Sequence, residues 1–225
     1  HLLVAESAVV KVEPDIPWHA VALVSCGVAT GFGSSVHRAE VKPGDNVAVI
    51  GCGGIGMNAI QGAKIAGAKR VIAIDPVEFK REKAMEFGAT HTYSSIEEAQ
   101  AEISALTWGE MCDKTILTVG VMTGDLIEPA LGLTSKGGTC VVTAVANMME
   151  NDAKLNSFMF AMMNKELKGC LFGSGNPRAD IPLRAYSIAN APRPDGELVL
   201  QVARADDGVT SAWVHEQLNI GDSLK

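Results

Sequence analysis

The stretch Val47-Ala48-Val49-Ile50-Gly51-Cys52-Gly53-Gly54-Ile55-Gly56 decides how this chain folds. Four consecutive apolar residues suit a strand buried on both faces, as in a parallel sheet. Gly51 ends the run. From Ile55 to Ala66, apolar and small residues recur at helical spacing until Gly67 stops the helix. Upstream, Pro43-Gly44-Asp45 makes a turn, preceded by a small-residue segment that reads as a helix over Ala20 to Ser35. Downstream, strand and helix alternate. Val71 to Ile74 predicts a strand, Phe79 to Phe87 a helix ending at Gly88, and Thr90 to Tyr93 a short strand. Ser95 and Glu98 have capping-box spacing and open a helix to about Thr107. Thr115 to Val119 is the next strand, followed by an acidic start signal (Asp125, Glu128) for a helix to about Leu133. Gly137-Gly138 turns into a strand over Thr139 to Val145. Ser157 to Met163 then reads as a helix and Leu167 to Phe172 as a sixth strand.

Such alternation requires right-handed crossovers and a mostly parallel sheet. The fold class is therefore α/β, a Rossmann doubly wound parallel sheet. Within it, Gly51-Cys52-Gly53-Gly54-Ile55-Gly56 satisfies G-x-G-x-x-G. The pattern gains meaning from its context: it leaves a strand, opens a helix and is followed by an acid, Asp75, at the end of the next strand. Gly51 allows the tight turn, Gly53 lets a pyrophosphate approach the backbone, and Gly56 permits close helix–strand packing. The helix N-terminus offers unpaired N–H groups and a partial positive charge to phosphates. Asp75 would accept bonds from the adenosine ribose hydroxyls and repel a 2′-phosphate, so NAD is the expected cofactor. A helix cap or turn role for Asp75, which Pro76 follows, is the plainer alternative. Gly54, Ile55, Lys80, Val119 and Val145 complete the candidate cofactor-binding residues. Lys80 reads equally as a solvated helix lysine, and Cys52 as a small filler rather than a reactive thiol.

Composition narrows the function classes. The 225-residue chain carries a formal net charge of −7 and is 47% hydrophobic, with a mean hydropathy of +0.16. An acidic chain lacks the basic footprint of a nucleic-acid binder. No apolar run approaches the roughly 20 residues of a membrane span. The cysteines (Cys26, Cys52, Cys112, Cys140 and Cys170) are odd in number, scattered and without a C-x-x-C pair. They read as reduced thiols of a cytoplasmic protein. The chain starts at His1 inside a strand-like pattern, which reads as an interior piece of something longer.

Three segments in combination resemble the zinc-dependent medium-chain alcohol dehydrogenases. They are Cys26-Gly27-Val28-Ala29-Thr30-Gly31-Phe32-Gly33-Ser34, Val41-Lys42-Pro43-Gly44-Asp45 and the glycine motif. Asp75 to Lys83, Glu86 to Thr92 and Lys165 to Gly173 narrow the likeness to the nicotinoprotein, nitrosodimethylaniline-dependent type, in which NAD(H) stays bound. The resemblance covers about residues 1–182. It implies oxidation of a small-molecule alcohol to an aldehyde, a zinc ligand at Cys26 and a catalytic threonine beside the nicotinamide at Thr30. It also implies that the other zinc ligands and the proton relay lie in a catalytic domain that these residues do not contain, so the zinc site is incomplete and the chain is expected to be inactive by itself. An NAD-binding module without catalysis, or a fusion with a flavin-dependent reductase, are the alternatives. None of His1, His19, His37, His91 and His215 has metal-ligand spacing with Cys26. On this reading residues 1–34 lead from the catalytic domain and 35–182 form the NAD-binding domain. The sixth strand, near 167–172, is a candidate edge for a homo-oligomer.

After Asn176 to Pro182 the pattern changes. Arg184-Ala185-Tyr186-Ser187 and Gly208-Val209-Thr210-Ser211 are similar to the R-x-Y-S and G-x-x-S motifs of the flavin domain of ferredoxin–NADP reductase-like oxidoreductases. That resemblance would put Arg184 on an FAD phosphate, Tyr186 on the flavin ring, Ser187 near its N5 and Ser211 on the pyrophosphate. Residues 183–225 would then be a partial, β-rich piece of a barrel, whose open edges hold FAD poorly. The plainer reading of residues 183–225 is a recombined or misassembled junction without function, with a working fusion as the alternative.

Overall fold

The computed structural model describes residues 9, 12, 16–149 and 152–176. Six strands form one sheet: β1 (Asn46–Ile50), β2 (Arg70–Ile74), β3 (His91–Tyr93), β4 (Cys112–Leu117), β5 (Thr134–Val142) and β6 (Glu166–Gly169). Their order is β3-β2-β1-β4-β5-β6 and every neighbouring pair is parallel. That is the doubly wound arrangement, with the strand order reversing between β1 and β4. The α/β reading of the sequence holds.

A helical stretch over 18–38 precedes the sheet. It runs through α1 (Trp18–Leu23), a π-helical turn (Val24–Val28), α2 (Ala29–Gly33) and a second π-helical turn (Ser34–Arg38). The strands are then connected by α3 (Gly54–Ile65), α4 (Glu78–Phe87), α5 (Ile96–Leu106), α6 (Ile127–Leu133) and α7 (Ser157–Met162). Successive strand residues point to opposite faces, so each strand feeds two cores. One core packs Val47, Val49, Val71, Ala73, Ile116 and Val141 against Ala59, Ile60 and Ala63 of α3. The other packs Ala48, Ile50, Ile72, Ile74 and Leu117 against Ala99 and Ile103 of α5 and Ala130 and Leu131 of α6. Each fully buried Val, Leu or Ile contributes about 1.5–3 kcal/mol. That is why the uninterrupted apolar run in β1 specifies a central strand.

Several boundaries differ from the sequence reading. The first helix runs past Ser35, because two π-turns carry it on to Arg38. The fourth strand is Cys112–Leu117 rather than 115–119. Thr118 instead turns its hydroxyl back onto the carbonyls of Ile50 and Gly51. The fifth strand begins at Thr134 and ends at Val142, not 139–145. Thr134 pairs with Cys112 and Thr139 with Lys114, so Ser135, Lys136, Gly137 and Gly138 bulge out opposite Asp113 inside the strand, with Gly137 at φ 72°. The sixth strand is Glu166–Gly169. Beyond it, Phe172, Gly173 and Ser174 all take positive φ, which bends the chain away from the sheet. The capping signal at α5 is real but shifted. Ser95 accepts from the Glu98 N–H, while the Glu98 carboxylate reaches back to the Ser94 N–H and hydroxyl.

Residues 183–225, with the flavin candidates Arg184, Tyr186, Ser187 and Ser211, lie outside the described residues.

Candidate coenzyme site and the segment beside it

The motif sits where strand order reverses, at the carboxyl edge of the sheet. Gly51 follows β1 with φ +94°, in the left-handed region that glycine occupies without strain. A Cβ there would lie 2.8 Å from the backbone nitrogen of Val119, so the turn is wedged against the end of β4. Gly53 is the N-cap of α3, and Gly54, Ile55 and Gly56 form its first turn. The glycines divide into two kinds. A Cβ on Gly56 would overlap the carbonyl oxygen of Gly51, whereas Gly53 and Gly54 face open space. The first pair closes the turn; the second leaves a path for a ligand to reach the backbone. The first N–H groups of α3 have no intrahelical partner and favour an anion at this end.

Asp75 stands just past β2, only 4% exposed. Its Oδ2 accepts from the Cys52 N–H at 2.8 Å, and its Oδ1 from the Val77 N–H at 2.9 Å. Lys80 Nζ lies 3.5 Å from Oδ2. Arg81 donates to the carbonyls of Asp75 and Pro76 and fixes the turn from outside. Asp75 thus organises the turn at the rim of the glycine loop. Lys80 reaches the carboxylate rather than lying free in solvent. Cys52 is 1% exposed. Burial first, and the Asp75 charge second, push its thiol up to about 12, so it is a filler and not a nucleophile. Val119 is half-buried at the same edge. Val145 is exposed, and its carbonyl accepts the Met122 N–H.

Thr30 and Cys26 come from the helical stretch that lies over this edge. A Cβ on Gly31 would overlap the Ile55 carbonyl oxygen and approach Asn58 Cβ to 2.6 Å, so α2 and the start of α3 meet almost backbone to backbone. Thr30 is buried. Its carbonyl accepts the Ser34 hydroxyl at 2.6 Å, and Thr143 Oγ1, just past β5, lies 2.8 Å from Ser34 Oγ. Because the Ser34 proton is committed to Thr30, Thr143 donates. This chain of bonds ties the helix to the sheet. Cys26 lies exposed in the first π-turn, a distortion often found at functional sites.

Among the described residues no group of three or more His, Cys, Asp or Glu side chains is placed to hold a metal such as zinc. Cys26 alone does not make a site. The nicotinamide coenzyme, by contrast, fits the open glycines and Asp75. Sequence reasoning missed Thr118 and Ser34, since no motif marks a hydroxyl whose role depends on a non-local contact. A groove of about 830 Å³ opens at the opposite edge, between Asn46, Gln100, Asp113, Glu128, Phe160 and Lys165. Its Lys165 Nζ is engaged with the Leu131 carbonyl at the end of α6, and such sheets bind nucleotides at the other edge.

Comparison with known proteins agrees with this geometry. The chain is 45% identical over 221 residues to Alcohol dehydrogenase B of Mycobacterium tuberculosis, covering 98% of this chain and 56% of that protein. It is 41% identical over 220 residues to the NDMA-dependent alcohol dehydrogenase of Amycolatopsis methanolica, covering 97% and 56%. The chain thus spans little more than half the length of these relatives. An alignment over 98% of the chain also takes in residues beyond 182. Among solved structures, benzyl alcohol dehydrogenase from Acinetobacter calcoaceticus superposes with a TM-score of 0.72 at 27% identity, over 77% of this chain and 47% of that one. A family model described as zinc-binding dehydrogenase matches residues 54–187, more than half of the chain, and the chain belongs to that family.

Proposed function

We propose that this chain is the coenzyme-binding part of an NAD-dependent alcohol dehydrogenase that oxidises an alcohol to an aldehyde. Residues 35–182 act as the coenzyme domain and 1–34 as the segment leading to it. The observation that carries this reading is the glycine turn. Gly53 and Gly54 are open at the head of a 12-residue helix, while Gly51 and Gly56 are closed against backbone. When bound, the nicotinamide coenzyme supplies the hydride acceptor. The chain's own residues do the rest. The head of α3 receives the pyrophosphate, Asp75 and Lys80 border the adenosine ribose, Val119 and Val145 line the approach, and Thr30 backs the nicotinamide end. A carboxylate at position 75 disfavours a 2′-phosphate, so NAD is preferred to NADP.

The rest of the active site, including zinc ligands beyond Cys26, lies outside this set of residues. Likeness to the NDMA-dependent relative supports a nicotinoprotein, with the coenzyme retained between turnovers. The exposed edge strand β6 suits self-association, which light scattering would read. A cytoplasmic location accords with the family, and no helix among the described residues is long and apolar enough to cross a membrane.

The test is to denature the purified chain after gel filtration in coenzyme-free buffer and identify what is released, backed by NADH titration calorimetry. Release of NAD(H), or saturable NADH binding abolished in Asp75→Arg, supports the reading. A folded chain that neither releases nor binds a nicotinamide coenzyme overturns it, and released flavin would instead assign a function to residues 183–225.

A further inference from the structure

One peptide plane at the apex of the glycine turn is held from both ends, by the acid that accompanies the motif, Asp75, and by a threonine that the motif does not mark, Thr118. The Gly51 carbonyl oxygen accepts the Thr118 hydroxyl at 2.6 Å, and the N–H of the same peptide, on Cys52, donates to Asp75 Oδ2 at 2.8 Å. Thr118 comes from the end of β4 and Asp75 from the end of β2, so the clamp spans the central strand. We propose that Thr118 is a positioning residue for the coenzyme pyrophosphate, acting with Asp75 to fix the Gly51–Cys52 peptide so that the head of α3 presents its N–H groups in one arrangement. This rests on the coenzyme-binding reading above.

The geometry gives Thr118 little freedom to do anything else. Its backbone N–H donates to the Ile50 carbonyl at 2.8 Å, which extends the β1–β4 pairing by one residue and sets where the side chain starts. It is 6% exposed. Its single hydroxyl proton faces two carbonyls, Gly51 at 2.6 Å and Ile50 at 3.1 Å, and the shorter contact is to the turn. A Cβ on Gly56 would lie 2.9 Å from Thr118 Oγ1, so the hydroxyl also sits under the first turn of α3. Gly51 is the residue whose backbone allows the neighbouring peptide to rotate. Removing the hydroxyl orphans the Gly51 carbonyl and frees that rotation, which also turns the Cys52 N–H away from Asp75. A ligand that needs the fixed arrangement then binds only the fraction of molecules that hold it. Adenosine carries no phosphate and meets the turn only through Asp75, whose carboxylate stays anchored by the Val77 N–H at Oδ1 when the Cys52 N–H turns away.

The experiment compares Thr118→Val, which keeps the volume, with Thr118→Ser, which keeps the hydroxyl, in the full 225-residue chain. Affinities for ADP-ribose and for adenosine are measured by calorimetry, and amide hydrogen exchange is followed at Cys52, Gly53 and Gly54. The expected result is a roughly tenfold loss of ADP-ribose affinity in Thr118→Val, a loss below about twofold for adenosine, and near-parental values for Thr118→Ser. The Cys52 amide should exchange more slowly than those of Gly53 and Gly54 in the parent and lose that protection in Thr118→Val. Equal losses for both ligands, or none, overturn the proposal while leaving coenzyme binding intact. A parent chain that binds neither ligand removes the coenzyme reading and, with it, the positioning role. If Thr118→Val does not fold, the parent's own exchange decides: a Cys52 amide no better protected than Gly53 and Gly54 overturns the clamp.

Discussion

Gly33 and Gly173 meet backbone to backbone: a Cβ on Gly33 would lie 2.7 Å from the Cα of Gly173. A Cβ on Gly173, which has φ +74°, would in turn overlap the carbonyl oxygen of Ala29. The helical stretch bearing Cys26 and Thr30 therefore docks on the turn after β6 without a side chain between them. Gly33→Ala should destabilise the fold by about 1–3 kcal/mol, because backbone has to move on both sides. Gly27→Ala, six residues earlier on the same stretch, adds its methyl to open space and should be neutral or stabilising by up to about 1 kcal/mol. Denaturant midpoints of the two variants check this. A Gly33→Ala chain as stable as the parent would show that the two backbones do not touch.

The two kinds of glycine in the turn predict two kinds of failure. Gly56→Ala drives a methyl into the Gly51 carbonyl and to within 2.9 Å of Thr118 Oγ1. It should lower stability by about 1–3 kcal/mol. Gly53→Ala meets nothing in the protein, so the melting temperature should stay near the parent's. NADH affinity should nevertheless fall at least about tenfold, because the new methyl stands in the ligand's path. Thermal melts and calorimetry on both variants separate the effects. If Gly53→Ala binds NADH as the parent does, the pyrophosphate passes elsewhere.

The thiols should respond to alkylation in a set order. Cys52, Cys112 and Cys140 are at most 1% exposed, and burial pushes each thiol up to about 12, with the neighbouring Asp75 and Asp113 adding to the effect at Cys52 and Cys112. At pH 8 such a group is thiolate in about one molecule in ten thousand, and the thiolate is the reactive form. Iodoacetamide on the native chain should label the exposed Cys26 first and the half-buried Cys170 more slowly, leaving the other three until the chain is unfolded. Peptide mass spectrometry over time reads the order. Labelling of native Cys52 at the rate of Cys26 would contradict the buried placement of the glycine turn.

Much of this was legible in the sequence, because the signals are local. The apolar run Val47 to Ile50, the glycine spacing and Asp75 specify a strand, a turn and a second strand without reference to anything distant. Strand ends were read less well, since they depend on the partner. β4 is Cys112–Leu117, with one further backbone bond from the Thr118 N–H to Ile50, and past that point the Thr118 hydroxyl turns onto the carbonyls of Ile50 and Gly51, contacts 68 and 67 residues away. The bulge at Gly137-Gly138 looked like a turn because a glycine pair is compatible with both, and only pairing with Cys112 and Lys114 distinguishes them. The two π-turns carry no sequence signature. At the site, the motif residues were legible and their supports were not: Thr118, Ser34 and Thr143 are ordinary hydroxyls until the fold places them.

The start of α5 offers a pH-dependent test of the local structure. Hydrogen bonds from the Ser94 hydroxyl and then from the Ser94 backbone N–H hold the Glu98 carboxyl below its ordinary value. A carboxyl lowered in the folded state adds stability in full above its unfolded value, about 4.3, and that stability is lost as pH falls through the lower folded value. Glu98→Gln keeps an acceptor for Ser94 but cannot titrate. The difference in unfolding free energy between parent and Glu98→Gln should therefore be constant from neutral pH down to about pH 5, then shrink through the acid range. Comparing the two chains at each pH cancels the similar lowering of Glu97, Asp125 and Glu166. A difference that stays flat down to acid unfolding would mean that the Glu98 carboxylate does not reach back to Ser94, and that Ser95 caps the helix alone.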